Sequence, residues 1–374
     1  MKENPIKKLK AIRESIWLDN LSRQLMNSGE LKRLINEVGV TGITSNPTIF
    51  QKAIAGSSEY DDSLKNILTQ GVRDEKEIFL RVAIEDVGRA ADMLKPVYDA
   101  SRGEDGFVSI EVSPDLAYDT EKTMDEARRL FSALSRKNVL VKVPGTKEGL
   151  PAIENLTAEG INVNVTLLFS VSRYEDVMNA YLLGLEKRVR EGKSLEGLFS
   201  VASFFVSRVD TLVDKHLEAR LASAASGAEK NTITELMGKA AVANAKIAYE
   251  KYEQVFGGKR FRAIPGARRQ KILWGSTGTK NPKYSDVKYV DELIGPDSIN
   301  TIPDATLKAY ADHGRTEITI HEGLEEAKDV MRRLKSVGVD IDQVTDDLEK
   351  EGVKLFSDSY VSLLKDVARK RDSL

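Results

Sequence analysis

The sequence predicts a (β/α)8 TIM barrel carrying extra helices and a C-terminal helical extension. Three observations predict it. Eight short apolar runs, many of them β-branched and bounded by turn residues, alternate with longer stretches of helical periodicity, the pattern of a closed parallel sheet wrapped in helices. The 374 residues contain no internal repeat, low-complexity linker or clear boundary, so residues 1–374 read as one decorated domain. Polar residues recur on one phase of several runs, toward the C-terminal ends where barrels keep their chemistry.

The first run, residues 16–19, is a strand followed by a helical pattern to about residue 37. Residues 39–46 hold a second strand, stopped by Pro47. A long helical region follows, and residues 75–100 place Ile78, Val82, Ala83, Val87, Ala90 and Leu94 at helical spacing. The third strand is 106–112, and a helix entered at Asp119-Thr120 turns Met124, Ala127, Leu130 and Leu134 to one face. Residues 138–143, closed by Pro144-Gly145, are the fourth strand. Residues 161–167 alternate strictly and form the fifth, after which Ser172 and Glu175 suggest a capping box opening a helix over 172–190. The sixth strand is 198–205, followed by two helices broken near Ser226-Gly227; the seventh is 271–276 and the eighth 298–302. From Leu324 the chain is helical with a break at 337–340, and residues from about 315 to 374 form the extension, expected to pack on the barrel. The connections after strands two and six have room for two helices each, which carries the chain past the ~250 residues usual for this fold.

Composition narrows the function classes. The net charge is -2, from 56 basic and 58 acidic residues, which gives no reason to expect nucleic acid or an anionic membrane as partner. There is no cysteine, which removes disulfides, thiolate catalysis and cysteine zinc sites. His216, His313 and His321 are scattered, so no metal site is expected. The N-terminus shows no apolar signal-like stretch, and no run approaches the roughly 20 apolar residues that span a bilayer. The expectation is a soluble cytoplasmic protein; monomer and homodimer are equally compatible with the sequence.

Lys142 stands inside the fourth strand, between Val141 and Val143, where a lysine is out of place. Burial disfavours the charged form of an amine and leaves a neutral nucleophile able to form a Schiff base with a ketone or aldehyde. The structural alternative is a lysine that snorkels to water or pairs with a carboxylate. If the apolar phase faces the helices, Trp17, Asp19, Thr44, Asn46, Ser109, Glu111, Lys142, Asn162, Asn164 and Thr166 all turn into the barrel. Buried polar groups are costly unless paired, and a purely structural barrel core is built mainly of Val, Ile and Leu. Each residue also has an ordinary use. Asp19 and Asn46 suit helix N-caps, the latter with Pro47 at N1. Glu111 suits a buried ion pair with Lys142, and Thr166 suits any strand. A phosphate site is expected from the strand-six exit, Ser203 to Arg208, and from the strand-seven exit, Gly275 to Lys280.

In order, Trp17-Leu-Asp-Asn20, Gly42-Ile-Thr-Ser-Asn-Pro-Thr-Ile-Phe50, Ser109-Ile-Glu-Val112, Val141-Lys-Val-Pro-Gly145, Asn162 to Ser170 and Ser203 to Asp210 resemble the transaldolase family, specifically its longer bacterial branch, over nearly the whole chain. The resemblance implies a class I aldolase-type barrel that uses no cofactor, acts on sugar phosphates and belongs to the non-oxidative pentose phosphate pathway. It implies that Lys142 is the Schiff-base lysine, that Asp19 takes the C4 hydroxyl proton, and that Glu111 and Thr166 hold a water for proton transfers. Asn46 and Asn164 would bind the dihydroxyacetone hydroxyls with Thr44 beside them, and Ser203 and Arg208 would bind phosphate. The shorter branch has a second arginine after strand seven; here Ser276 or Lys280 is expected to replace it. A fructose-6-phosphate aldolase would share the barrel and the lysine but be much shorter and lack a glutamate at Glu111. A non-catalytic sugar-phosphate-binding paralogue would have no need of a buried amine, and the sparse histidines disfavour a zinc aldolase.

Overall fold

A computed structural model describes residues 4–374. Eight parallel strands close in chain order, β1 pairing with both β2 and β8. The strands are β1 (Ser15–Leu18), β2 (Gly42–Ile43), β3 (Val108–Glu111), β4 (Val139–Pro144), β5 (Val163–Leu168), β6 (Ser200–Phe205), β7 (Lys271–Gly275) and β8 (Ser298–Ile302). All eight coincide with the apolar runs of the sequence. The second is much shorter than expected, because the chain leaves the sheet after Ile43 and Asn46 caps the next helix, its Oδ1 accepting the Ile49 N–H at 3.0 Å.

The helices, in chain order, are α1 (Pro5–Leu9), α2 (Arg23–Asn27), α3 (Glu30–Arg33), α4 (Pro47–Ala55), α5 (Asp61–Thr69), α6 (Glu75–Ala100), α7 (Thr120–Leu134), α8 (Gly149–Glu159) and α9 (Val171–Arg190). They continue as α10 (Ser207–Ser223), α11 (Gly227–Leu236), α12 (Ala240–Phe256), α13 (Lys259–Arg262), α14 (Lys288–Asp291), α15 (Asp304–His313), α16 (Leu324–Ser336) and α17 (Ile341–Asp372). The connections after β2 and β6 therefore hold three and four helices, not two each. Short breaks at 56–60, 237–239 and 257–258, the second with Gly238 at φ +69°, divide what the apolar periodicity ran together. The capping serine of α9 is Ser170, which accepts the Arg173 N–H at 3.0 Å, and not Ser172.

The N-terminal end of the barrel is plugged. Trp17, Phe107, Leu140, Phe199, Val201, Leu273 and Ile299 form an interior cluster separate from the sheet–helix core, and Phe107 stacks on Phe199 with ring centres 4.3 Å apart. Trp17 donates its indole N–H to Asp105 at 2.9 Å. Gly42 is required beside it, since a Cβ there would lie 2.4 Å from the indole. With the lower end closed, the C-terminal mouth is left for chemistry.

Across that mouth lies α17, whose 32 residues give it a length of about 48 Å. Its positions 349, 352, 356 and 360 recur at three- and four-residue spacing and so share one face. Glu349 pairs with Arg173 of α9 at 3.4 Å. The Phe356 ring centre is 6.5 Å from that of Phe205 at the end of β6, and Tyr360 reaches Ser113 at 3.0 Å. Gln51 of α4 donates to Ser362 at 2.7 Å and to Asp366 at 3.0 Å. Among the described residues no helix is long and apolar enough to cross a membrane.

Candidate active site

Glu111, Lys142 and Asn164 are register partners on β3, β4 and β5, so three polar side chains stand side by side inside the mouth. Lys142 is 5% exposed. Its Nζ lies 3.3 Å from Glu111 Oε1 and donates to the Ser45 carbonyl at 3.2 Å. Neither Glu111 oxygen has an aligned hydrogen bond, so the contact is an ion pair without a directed bond. Burial pushes the Glu111 carboxyl above its ordinary range; the Lys142 charge pulls it back, and Asp19 raises it further. The ion-pair alternative for Glu111 thus coexists with a position fit for proton transfer.

Asp19 follows β1 at the rim. Its Oδ1 accepts the Thr44 hydroxyl at 2.8 Å, and Thr44 lies 2.7 Å from Thr301 of β8. Burial raises the Asp19 carboxyl, while Lys142, the Thr44 bond and Lys280 act the other way. Asp19 caps no helix; α2 is capped by Ser22.

A chain of hydroxyls and an amide crosses the site. Asn164 Nδ2 donates to Ser109 at 3.0 Å, and Ser203 donates to Asn164 Oδ1 at 2.7 Å. Ser203, expected at the phosphate, therefore spends its hydroxyl on Asn164. Asn46 uses Oδ1 for its capping bond, which leaves Nδ2 for a ligand. Asn162 lies at the plugged end, holding the Lys137 carbonyl and the Phe199 N–H, and takes no part in the mouth. Thr166 is fully buried, and its hydroxyl has no hydrogen-bond partner among the described residues.

On the strand-six side, α10 begins with no side-chain cap; its Ser207 N–H donates to the Ser276 carbonyl and its Val209 N–H to the Val206 carbonyl, each at 3.0 Å, which leaves the Arg208 N–H between them for an anion. Arg208, in its first turn, lies over the Phe205 ring at 5.7 Å. It is half-buried with no carboxylate within ion-pair distance among the described residues, and burial holds its guanidinium below the ordinary value. Ser276, at φ +53°, lies 3.1 Å from Ser207, hydroxyl to hydroxyl. Lys280 is exposed on the same loop, close enough for its charge to act on Asp19.

Three contributors were missed from sequence. Thr301 was legible from the phase of β8, which turns Ile299 and Thr301 inward. Ser207 was legible as the first residue of α10. Phe356, whose ring centre is 5.8 Å from Lys142 Nζ, was not, because nothing local to a long amphipathic helix says that it crosses a distant barrel mouth.

Residues 16–367 match the family model described as transaldolase/fructose-6-phosphate aldolase. A "Transaldolase 2" of Nostoc sp. is 45% identical over 372 residues, covering 98% of this chain and 97% of its own length. A "Transaldolase" of Thiobacillus denitrificans is 47% identical over 366 residues, covering 97% of this chain and 99% of its own. Another, from Saccharopolyspora erythraea, is 47% identical over 361 residues, with 96% and 95% covered.

Proposed function

This chain belongs to the transaldolase/fructose-6-phosphate aldolase family, and we propose that its mouth transfers a dihydroxyacetone unit between sugar phosphates through a Schiff base on Lys142. The donor is a ketose phosphate, sedoheptulose 7-phosphate or fructose 6-phosphate; the acceptor is an aldose phosphate, glyceraldehyde 3-phosphate or erythrose 4-phosphate. The enzyme is a transferase of the non-oxidative pentose phosphate pathway, acting in the cytoplasm. Relatives named transaldolase that align over nearly the full chain support the transferase reading.

The observation that carries the mechanism is the buried Lys142 amine, 3.3 Å from Glu111, in the same mouth as Asp19. The amine attacks the C2 carbonyl of the ketose to give a carbinolamine, which loses water to form an iminium. Glu111 and Thr166 hold the water that relays these protons. Burial makes the Glu111 carboxyl ready to accept one, and the Thr166 hydroxyl has no competing partner. Asp19 then takes the C4 hydroxyl proton, the C3–C4 bond breaks, and its electron pair passes into the iminium to leave an enamine on Lys142. The aldose phosphate departs, the acceptor aldehyde takes its place, and the steps reverse. The iminium is the electron sink, so the chemistry calls for no metal or organic cofactor.

Asn46 and Asn164 read the dihydroxyacetone hydroxyls, with Thr44 holding Asp19 and Ser203 fixing the Asn164 amide. The phosphate falls to the side chain and backbone N–H of Arg208, with Ser276 replacing the second arginine and Lys280 adding a point charge. Phe356 roofs Lys142 with an apolar ring that keeps water off the enamine.

Comparing fructose 6-phosphate turnover with and without erythrose 4-phosphate tests the reading. Turnover that needs the acceptor is expected; release of free dihydroxyacetone at the same rate without acceptor identifies an aldolase instead.

A further inference from the structure

We propose that Leu167 of β5 and Gly352 of α17 form a positioning pair that sets the Thr166 hydroxyl, so that the seating of the roof helix is coupled to proton transfer at Lys142. The inference rests on the reading of Lys142 and Thr166 given above.

β5 runs in register with β6 from Val163 to Val165, opposite Ser200 to Ala202, but Leu168 then lies opposite Phe204. Thr166 and Leu167 together face the single residue Ser203, which defines a β-bulge. Leu167 has φ +63°, in the left-handed region a leucine avoids unless its surroundings hold it there. Because side chains alternate along a strand, one inserted residue reverses every side chain beyond it. Leu167 would otherwise follow Val163 and Val165 toward the outer helices. Instead it meets α17: a Cβ on Gly352 would lie 3.0 Å from Leu167 Cδ2 and 3.5 Å from the Phe169 ring.

On the β4 side Thr166 is fixed, its carbonyl accepting the Gly145 N–H at 2.7 Å. On the β6 side the bulge interrupts the ladder just where the Thr166 hydroxyl is aimed inward. What holds the bulge from above is the α17 backbone at Gly352. Gly352 also stands one turn before Phe356, whose ring centre is 5.8 Å from Lys142 Nζ, so a single helix face packs on the bulge and lies over the amine. Glycine weakens a helix interior relative to alanine, which leaves close approach as the reason for it here.

The test separates positioning from stability. In Gly352→Ala the new Cβ forces Leu167 to move by a few tenths of an ångström. Since a 1 Å misplacement costs on the order of 100-fold, kcat and the single-turnover rate of borohydride-trappable adduct formation should both fall roughly fivefold. KM should hold, and the melting temperature should stay level or rise with the better helix former. In Gly352→Ala/Leu167→Ala the new methyl takes the space Leu167 vacates, so kcat should recover beyond the product of the two single losses. Leu167→Gly keeps the backbone conformation but gives α17 nothing to hold, and should slow the same step. Wild-type adduct formation in Gly352→Ala or Leu167→Gly, or losses that merely multiply in the double variant, overturns the inference. Lys142→Met is the control. If it abolishes the adduct while Gly352→Ala is unaffected, only the positioning pair is refuted; if adduct survives in Lys142→Met, the Schiff-base reading itself falls.

Discussion

Replacing Glu111 by glutamine removes a charge and keeps the shape, and it probes the centre of the site from two sides. Glu111 and Lys142 are 7% and 6% exposed in their side chains and 3.3 Å apart. Breaking a buried pair by removing one partner costs about 3–5 kcal/mol, because the remaining charge is stranded. Asp19 also feels the Lys142 charge and partly replaces the lost carboxylate, which favours the lower end. With unfolding entropy near 2.1 cal/mol/K per residue, ~3 kcal/mol corresponds to a fall of roughly 4 °C in melting temperature. The catalytic loss should be larger, on the order of 10²–10⁴ in Schiff-base formation, since on the proposed mechanism Glu111 relays the carbinolamine protons. Calorimetry and single-turnover borohydride trapping with fructose 6-phosphate read the two effects. A variant that melts lower yet traps adduct at the wild-type rate would show that Glu111 only neutralises Lys142, and the assigned role would be wrong.

Three other outcomes follow from the geometry. On the proposed mechanism Asp19 works ionised, and burial raises its carboxyl, so the acid limb of kcat should lie above the ordinary carboxylate range of about 4. Asp19→Asn should keep adduct formation and lose C3–C4 cleavage; loss of the adduct instead would refute the assignment. Arg208→Ala should lower kcat/KM for phosphorylated donors by about 10- to 100-fold, the value of a charge-assisted hydrogen bond, mainly through KM. Fructose without its phosphate should be unaffected, and an equal loss on both substrates would remove Arg208 from the phosphate site. Glu14 is buried, with one oxygen on the Gly295 N–H at 3.1 Å and the other unpartnered, and burial raises its carboxyl well above the ordinary value. The folded state binds that proton more tightly than the unfolded chain, so stability should fall as pH rises from the unfolded pKa toward the raised folded one. Glu14→Gln should flatten that part of the stability profile, and an unchanged slope would exclude Glu14 as its source.

Much of the barrel was legible because strands and core obey short-range rules. The apolar runs located all eight strands, and alternation correctly paired Trp17 with Asp19, and Ser109 with Glu111, on inward faces. Lys142 was noticed because it breaks the pattern of its own strand. The misses have tertiary causes. Ser172 and Ser170 are equally good caps by type, and only the helix start decides between them. The Leu167 bulge leaves no mark in a run that alternates cleanly, since its cause lies in the neighbouring strand and the roof helix. Ser203 was expected to face phosphate from its place at a strand end, yet Asn164 across the ladder captures its hydroxyl. Phe356 reaches Lys142 from more than 200 positions away in sequence, a distance over which local patterns carry no information.

The central claim is that Lys142 is the nucleophile. Borohydride reduction of the enzyme with fructose 6-phosphate, followed by peptide mass mapping, tests it most directly. The adduct is expected on the peptide containing Lys142, with loss of activity in proportion to labelling and no adduct in Lys142→Arg. Label on a different lysine, or near-normal turnover in Lys142→Arg, would contradict the mechanism.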